Sequence, residues 1–105
     1  MAVILLTDAD FKKILETNNQ VIVKYFADWC GTCKLIAPKF KRLSGDERFT
    51  GTAFVEINAE ENEVARKLAN VDNLPFFATF KNGSLLAGSA TSKEEVVVSM
   101  LNELK

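Results

Sequence analysis

The sequence lacks histidine, and cysteine occurs only twice, as Cys30 and Cys33. A structural zinc site needs four ligands, so carboxylates alone would have to complete a set that begins with two thiols. An iron–sulfur cluster fails on the same count unless two chains share it. We therefore expect no metal site.

Long apolar runs are also missing. The N-terminal run AVILL has no basic residue before it, and Asp8 follows closely, so it is too short and wrongly flanked for a signal peptide. No segment approaches the roughly 18 apolar residues that cross a bilayer. These features predict a cytoplasmic protein without a membrane segment.

Neither sign of charge is in excess, because 13 basic and 14 acidic residues leave a formal net charge of −1. That balance gives no electrostatic reason to expect nucleic acid or an anionic membrane as partner. The 105 residues, 48% hydrophobic and 26% charged, have the size and composition of one globular domain. No linker, repeat or low-complexity segment divides them, so we expect a single domain over 1–105 and a monomer.

Apolar patterning predicts an α/β domain with the element order β-α-β-α-β-α-β-β-α. The initial alternation implies parallel strands joined by crossover helices, and the Asn82-Gly83 turn implies an antiparallel pair at the end. We therefore expect a mixed parallel and antiparallel central sheet flanked by helices on both faces. The predicted strands are 3–6, 21–27, 52–58, 75–80 and 85–88, and the predicted helices begin near Thr7 and cover 31–43, 60–69 and 92–104.

The helix patterns also predict caps and buried faces. Thr7 and Asp10 have a capping-box-like spacing, and Ser92 followed by Glu95 has the same spacing. Pro38 should kink its helix, because it removes one backbone donor. The residues expected to face inward are Leu35, Ile36, Phe40 and Leu43 in the second helix and Val64 and Leu68 in the third.

The two cysteines fall where a buried strand ends and the next helix begins. Unsatisfied N–H groups and the positive end of the helix dipole gather there, and both favour a thiolate over a thiol. The exposed cysteine should therefore have a pKa below the ~8.5 of a free thiol. A thiol three residues further on can resolve a mixed disulfide, and Gly31 allows a tight turn between them.

This C-x-x-C spacing beside a β-α-β pattern is typical of a dithiol redox centre. A disulfide that only staples the chain is a poor alternative, since closing so short a loop removes little unfolded-chain entropy. In a reducing compartment, close cysteines are more often functional than structural. The pattern therefore predicts thiol–disulfide chemistry.

The segment FADWCGTCK resembles the W-A-x-W-C-G-P-C-K segment of the thioredoxin family. Pro38 matches the family's proline five residues after the second cysteine, NLPFF fits its cis-proline segment, and FKNG matches the hairpin that follows. The likeness covers essentially the whole chain and implies a thioredoxin fold.

The resemblance implies a role for each matching residue. Cys30 would be the exposed nucleophile, and the more buried Cys33 would resolve the mixed disulfide. Trp29 would belong to the substrate-docking surface, and we expect it also to be a half-buried packing aromatic. Pro75 would lie against the cysteine pair in a cis bond. Leu74 would present backbone groups to an extended substrate.

Three departures from the family pattern lie near the cysteines. Thr32 stands where the family usually has proline, so the reduction potential should differ, in a direction that the sequence leaves open. Phe76 replaces the usual threonine after the cis-proline, and Phe26 replaces the usual tryptophan. Both should enlarge or reshape the apolar surface that substrates meet.

A fourth departure concerns charge. Position 24, usually a buried aspartate that moves the proton of the resolving cysteine, is Lys24, and position 56, often a lysine, is Glu56. An unpaired buried lysine is costly. We hypothesise that the pair is swapped, with Glu56 holding the carboxylate behind Cys33 and Lys24 supplying the cation. The alternative is that Lys24 extends to solvent at the sheet margin and has no catalytic role.

Together these features predict a protein-disulfide reductase whose substrates are disulfide-containing proteins. Its redox centre would be the dithiol itself, so no bound cofactor is expected. The resemblance implies that an NADPH-dependent flavoprotein thioredoxin reductase recycles it. Two alternatives stay open: an exported disulfide oxidase or isomerase, and a non-catalytic binding module, against which the intact cysteine pair argues.

Overall fold

A computed structural model describes residues 3–105 and contains the predicted elements in the predicted order; residues 1 and 2 of the predicted domain lie outside the described part. The strands are β1 (Ile4–Leu5), β2 (Gln20–Phe26), β3 (Ala53–Asn58), β4 (Phe76–Lys81) and β5 (Ser84–Ala90). The helices are α1 (Asp8–Thr17), α2 (Gly31–Ser44), α3 (Glu63–Leu68) and α4 (Glu94–Leu104), with a 3₁₀ turn at Glu47–Phe49.

The five strands form one sheet in the order β1-β3-β2-β4-β5. β3 runs parallel to β1 and β2, whereas β4 runs antiparallel to β2 and to β5. Asn82 and Gly83 join β4 to β5 with φ angles of 53° and 84°. Positive φ at both positions is what a two-residue type I′ hairpin turn requires. The predicted mixed sheet and its terminal hairpin are confirmed.

Side chains of β2 point alternately into two hydrophobic cores, one on each face of the sheet. The helices therefore flank both faces, as predicted. The core beneath α1 and α3 includes Phe11, Val21, Val23, Tyr25 and Ala65. The core beneath α2 and α4 includes Ile22, Ile36, Phe40, Phe77 and Leu101.

The inner face of α2 departs from the prediction at one position. Ile36, Phe40 and Leu43 are buried as expected, but Leu35 is 73% exposed. Cys33 joins the buried row instead. The four buried residues keep the spacing of a single helical face, and that spacing turns Leu35 outward.

α3 is shorter than predicted and buries a different residue. It spans Glu63–Leu68 rather than 60–69. Val64 and Leu68, both expected to face inward, are 59% and 48% exposed, whereas Ala65 is fully buried. The short helix turns its small residue into the core that contains Val21 and Tyr25, and the two larger side chains lie outside.

A contact from α1 caps the N-terminus of α3. Asn62, the residue before α3, makes no capping hydrogen bond with its side chain. The Asp8 carboxylate instead accepts the N–H groups of Ala65 at 2.8 Å and Val64 at 3.1 Å. A negative charge is favourable at a helix N-terminus. This start is therefore set by a residue more than fifty positions away in sequence.

Neither predicted capping box is present. The Thr7 side chain makes no cap hydrogen bond at the start of α1. α4 begins at Glu94, two residues later than predicted, so Ser92 does not cap it. The Thr91 hydroxyl oxygen accepts the N–H of Lys93 just before the helix, at 3.1 Å. The spacing of Ser92 and Glu95 therefore predicts the wrong start for α4.

We expect the hydroxyl group of Thr79 to lower the free energy of unfolding. The side chain is fully buried in β4, and its Oγ1 has no hydrogen-bond partner among residues 3–105. A buried, unsatisfied polar group costs about 1–3 kcal/mol. We expect Thr79→Val, which keeps the shape, to raise the free energy of unfolding in urea by about 1 kcal/mol.

Thr52→Val is the matched control, because the buried Thr52 hydroxyl donates to Gln20 Oε1 at 3.1 Å. That variant should lose stability. Equal destabilisation by both substitutions would show that the Thr79 hydroxyl is satisfied in solution.

Candidate active site

Cys30 and Cys33 form a disulfide at the N-terminus of α2. Cys30 is the N-cap residue, and its Sγ accepts the backbone N–H of Cys33 at 3.1 Å. The N–H of Cys30 itself donates to the carbonyl of Ala27 at 3.1 Å, just beyond the end of β2. The Cys30 sulfur therefore sits where helix N–H groups and the dipole stabilise negative charge.

Both cysteines are buried in this oxidised state. Each is 3% exposed, so the expected contrast between an exposed Cys30 and a more buried Cys33 is absent. They form a small apolar cluster with Ala27, and the partly buried Phe26 and Leu74 pack against it. The disulfide therefore lies in an apolar environment.

The turn between the cysteines does not depend on glycine. Gly31 is the first residue of α2, and its φ lies outside the left-handed region. A Cβ added there would meet nothing within 4 Å. Gly31 is expected to allow a tight turn, but its helical backbone makes no use of the conformational freedom of glycine. Thr32, next to it, is exposed in the first turn.

The Leu74–Pro75 peptide bond is cis, as the resemblance implies. Leu74 is partly buried against the cysteine cluster. Its N–H, expected to be offered to a substrate, is occupied by Asn73 Oδ1 at 2.9 Å. The Pro75 carbonyl accepts the N–H of Thr91 at 3.1 Å. A substrate backbone that bonds to this N–H would therefore compete with the exposed Asn73 side chain.

Trp29 is 68% exposed, so it is a surface residue rather than a half-buried packing aromatic. Its Nε1 donates to Glu60 Oε2 at 2.7 Å. Sequence reasoning missed this partner, since Glu60 lies in a run of carboxylates that reads as a solvated helix start. A groove of about 290 Å³ lies beside the indole, and Leu74 and Asn73 also line it.

Phe76 does not add to the exposed surface, contrary to expectation. It is 6% exposed and packs edge-on against Tyr25, with the ring centroids 6.1 Å apart. The Tyr25 hydroxyl donates to the Ala65 carbonyl at 2.8 Å, and burial, with a smaller contribution from Asp8, raises the pKa of this phenol above its ordinary value. The ring of Phe76 also lies over Gly88 on β5.

Lys24 and Glu56 are neighbours on β2 and β3, and they form an ion pair with Nζ 3.2 Å from Oε2. The lysine side chain is only 5% exposed, so the alternative in which it extends to solvent is wrong. The rings of Phe26 and Phe40 lie 5.7 Å from its ammonium, each in cation–π range. The glutamate side chain is 30% exposed and forms the outer half of the pair.

A cavity of about 320 Å³ lies between this ion pair and Cys33. Lys24, Glu56 and Cys33 all line it, so the structure brings together the three residues of the swapped-pair hypothesis. The exposed Asp28 and Lys34 line the same cavity. The lining therefore combines two carboxylates and two ammonium groups, one of them buried, with the resolving cysteine.

Residues 3–105 contain no cluster of three or more histidine, cysteine, aspartate or glutamate side chains arranged to hold a metal ion. Within the same range, no helix is long and apolar enough to cross a membrane.

Comparison with known proteins gives consistent matches. The thioredoxin family model matches residues 2–103. A thioredoxin of Aspergillus fumigatus, Asp f 29, is 47% identical over 81 residues, which cover 74% of this chain and 73% of that protein. Thioredoxin 1 of Plasmodium falciparum is 36% identical over 84 residues, or 80% and 79% of the two chains.

Solved structures agree with this assignment. The reduced thioredoxin pre-protein of Schistosoma mansoni has a TM-score of 0.89 and 32% identity, with all of both chains covered. A Plasmodium falciparum thioredoxin structure also has a TM-score of 0.89, with 28% identity over 97% of this chain and 99% of that one. These similarities confirm the predicted thioredoxin fold.

The packing of Phe76 generates a prediction about Gly88. A Cβ at Gly88 would lie 2.9 Å from Phe76 Cζ, so Gly88→Ala must displace the ring. We expect a loss of about 1–3 kcal/mol in the free energy of unfolding, as is typical of overpacking. In a Phe76→Leu background the same substitution should cost less, which a double-mutant cycle measures.

Gly45→Ala is the control, because its Cβ would meet nothing closer than 3.7 Å. A Gly88→Ala protein as stable as Gly45→Ala, or equal costs in both backgrounds, would contradict the contact.

Proposed function

The chain belongs to the thioredoxin family, and from that premise we propose that it is a general reductase for disulfides in other proteins. Membership and the Cys30–Cys33 pair make it a thiol–disulfide oxidoreductase. Family members work without a cofactor, through a redox-active disulfide. The breadth of its substrates and the partner that recycles it belong to the proposal.

The position of Cys30 carries this proposal. Its sulfur is the N-cap of a 14-residue helix and accepts the N–H of Cys33 at 3.1 Å. In the reduced protein, the same N–H and the helix dipole favour the Cys30 thiolate, the attacking species in disulfide exchange. Cys33 is held three residues away with a Cα–Cα distance of 5.3 Å, which suits formation of the second disulfide.

The reaction takes two exchange steps. The Cys30 thiolate attacks one sulfur of a substrate disulfide; that bond breaks, and the other substrate sulfur leaves as a thiolate and takes up a proton. Cys33 then loses its proton and attacks the Cys30 sulfur of the mixed disulfide. The second substrate sulfur leaves, and the Cys30–Cys33 disulfide remains, so two electrons have passed to the substrate.

A continuous cycle needs a source of two electrons for the oxidised pair. We propose an NADPH-dependent flavoprotein thioredoxin reductase as that source, on the ground of the family resemblance. A monomer acting in the cytoplasm fits this proposal, because a reducing compartment keeps the dithiol available.

Replacing Cys30 and replacing Cys33 should block different steps of the reaction. We expect Cys30→Ser to abolish dithiothreitol-driven reduction of insulin, because no nucleophile is left to attack. Cys33→Ser that has been reduced and then freed of dithiothreitol should instead accumulate a covalent mixed disulfide with insulin, visible as a reducible mass increase, since no thiol is left to resolve it.

Unchanged insulin reduction by Cys30→Ser would overturn the assignment of the nucleophile. If the parent protein itself fails to reduce insulin, the non-catalytic binding module becomes the better description.

We further propose that Glu56 accepts the proton of Cys33 during resolution. Its carboxylate lines the same cavity as Cys33 and has contact with solvent. Glu56→Gln should slow turnover on the order of tenfold or more, with KM for insulin little changed, because general bases contribute at least that much.

Asp28→Asn is the matched control, because Asp28 is the other carboxylate lining this cavity. A larger loss of kcat for Asp28→Asn than for Glu56→Gln would assign the proton to Asp28 instead.

A further inference from the structure

Lys24 is a charged residue in the interior of a central strand. The residue is 4% exposed, while its four neighbours from Val21 to Tyr25 are fully buried. A buried ammonium is costly unless it is paired, and here Glu56 and two aromatic rings offset that cost. An apolar residue at position 24 would avoid the cost of burying a charge altogether. The ammonium therefore calls for an explanation beyond stability.

Four charged groups line the cavity next to Cys33, and Lys24 is the deepest of them. Asp28 lies after β2 and Lys34 lies on α2, and both are exposed to water. Glu56 on β3 is partly exposed, whereas the Lys24 side chain is 5% exposed. Water screens the exposed charges strongly and the buried one weakly. Lys24 is therefore the charged group of this lining that water screens least.

We propose that Lys24 is a positioning residue that stabilises the Cys33 thiolate while the mixed disulfide is resolved. The role in turnover rests on the proposed function, but the effect on the thiolate does not. An opposite charge close to an ionisable group favours its charged form, most strongly where water is excluded. The pair places a cation, rather than a second anion, deepest behind the resolving sulfur.

The step balances in protons and charge. The Cys33 thiol passes its proton to the Glu56 carboxylate and keeps the electron pair on sulfur. That sulfur bonds to the Cys30 sulfur, and the bond between Cys30 and the substrate breaks, with the substrate sulfur leaving as a thiolate. The Lys24 ammonium, previously the counter-ion of Glu56, becomes the counter-ion of Cys33 after the proton transfer. The net charge of the three groups is unchanged until the substrate sulfur leaves.

The test needs no turnover. In a Cys30→Ser protein, Cys33 is the only thiol, and the ultraviolet absorbance of its thiolate is followed against pH. Adding Lys24→Met, which is similar in length and suits the two rings, should move the titration midpoint upward by about one pH unit. That shift corresponds to about tenfold less thiolate below the midpoint. Lys24→Arg keeps the charge and should restore most of the thiolate.

Lys34→Met is the matched control, since it removes the other lysine that lines the cavity. Its shift should be much smaller, because Lys34 is exposed. Circular dichroism checks that each variant is folded. An equal shift for Lys34→Met and Lys24→Met would attribute the effect to general surface charge and would overturn the proposal.

Lys24→Met alone could raise the titration midpoint of Cys33 in two ways, by removing the cation or by leaving the Glu56 carboxylate unpaired. The double variant Lys24→Met/Glu56→Gln separates these two effects. Its midpoint should lie above that of the Cys30→Ser parent and below that of the Lys24→Met variant. A double variant that titrates like the parent would mean that the intact ion pair is neutral toward Cys33. The proposal would then be wrong, and the upward shift of the single variant would come from Glu56.

The pH profile of insulin reduction connects the thiolate to turnover. With both cysteines present, Lys24→Met should lose activity first on the acid side, about tenfold at pH values below the midpoint. A shifted thiolate titration in a protein that does not reduce insulin would refute the reductase assignment and leave the Lys24 inference standing. Normal insulin reduction with an unshifted titration would refute the inference alone.

Discussion

The burial of β2 on both faces is the constraint on which the rest of the structure depends. Every residue from Val21 to Tyr25 is at most 4% exposed. The strand pairs with β3 on one side and β4 on the other, and its side chains enter both cores. Because the strand is fixed in this way, its C-terminal end delivers Ala27 and Cys30 to the start of α2. The redox centre is therefore held at the end of a strand that is buried on both faces.

The same constraint makes Lys24 informative. A strand buried on both faces is normally a continuous apolar run, and one ammonium within it must be compensated locally. Glu56 supplies the opposite charge at 3.2 Å from the adjacent strand, and it is exposed enough to exchange protons with water. The pair thus links the interior behind Cys33 to solvent. Lys24 consequently belongs both to the packing of the central strand and to the surroundings of the resolving thiol.

Local patterns were sufficient to predict the order of the elements and much of the candidate site. A few adjacent residues suffice to predict β2 from its apolar run and the hairpin from its Asn82-Gly83 turn. The Lys24–Glu56 pair was predicted from the two charge departures from the family pattern, and the observed parallel register places the two residues side by side. Cis geometry at Pro75 came from the resemblance and not from the pattern.

Features set by distant contacts could not be predicted. The start of α3 depends on Asp8, which supplies the cap that its own sequence lacks. Phe76 is buried because a glycine at position 88 leaves room for its ring. The bond between Trp29 and Glu60 joins residues 31 positions apart, and nothing near either one signals it. Each needs the assembled fold before its partner is known.

The central claim is that the Cys30–Cys33 pair donates electrons to protein disulfides. Its equilibrium reduction potential, measured against glutathione and dithiothreitol buffers, tests that claim most directly. We expect a potential in the reducing range, well below that of disulfide oxidases, because electrons pass only to disulfides of higher potential. A potential well above the glutathione pool, in the range of disulfide oxidases, would contradict the reductase function and support an oxidase or isomerase in its place.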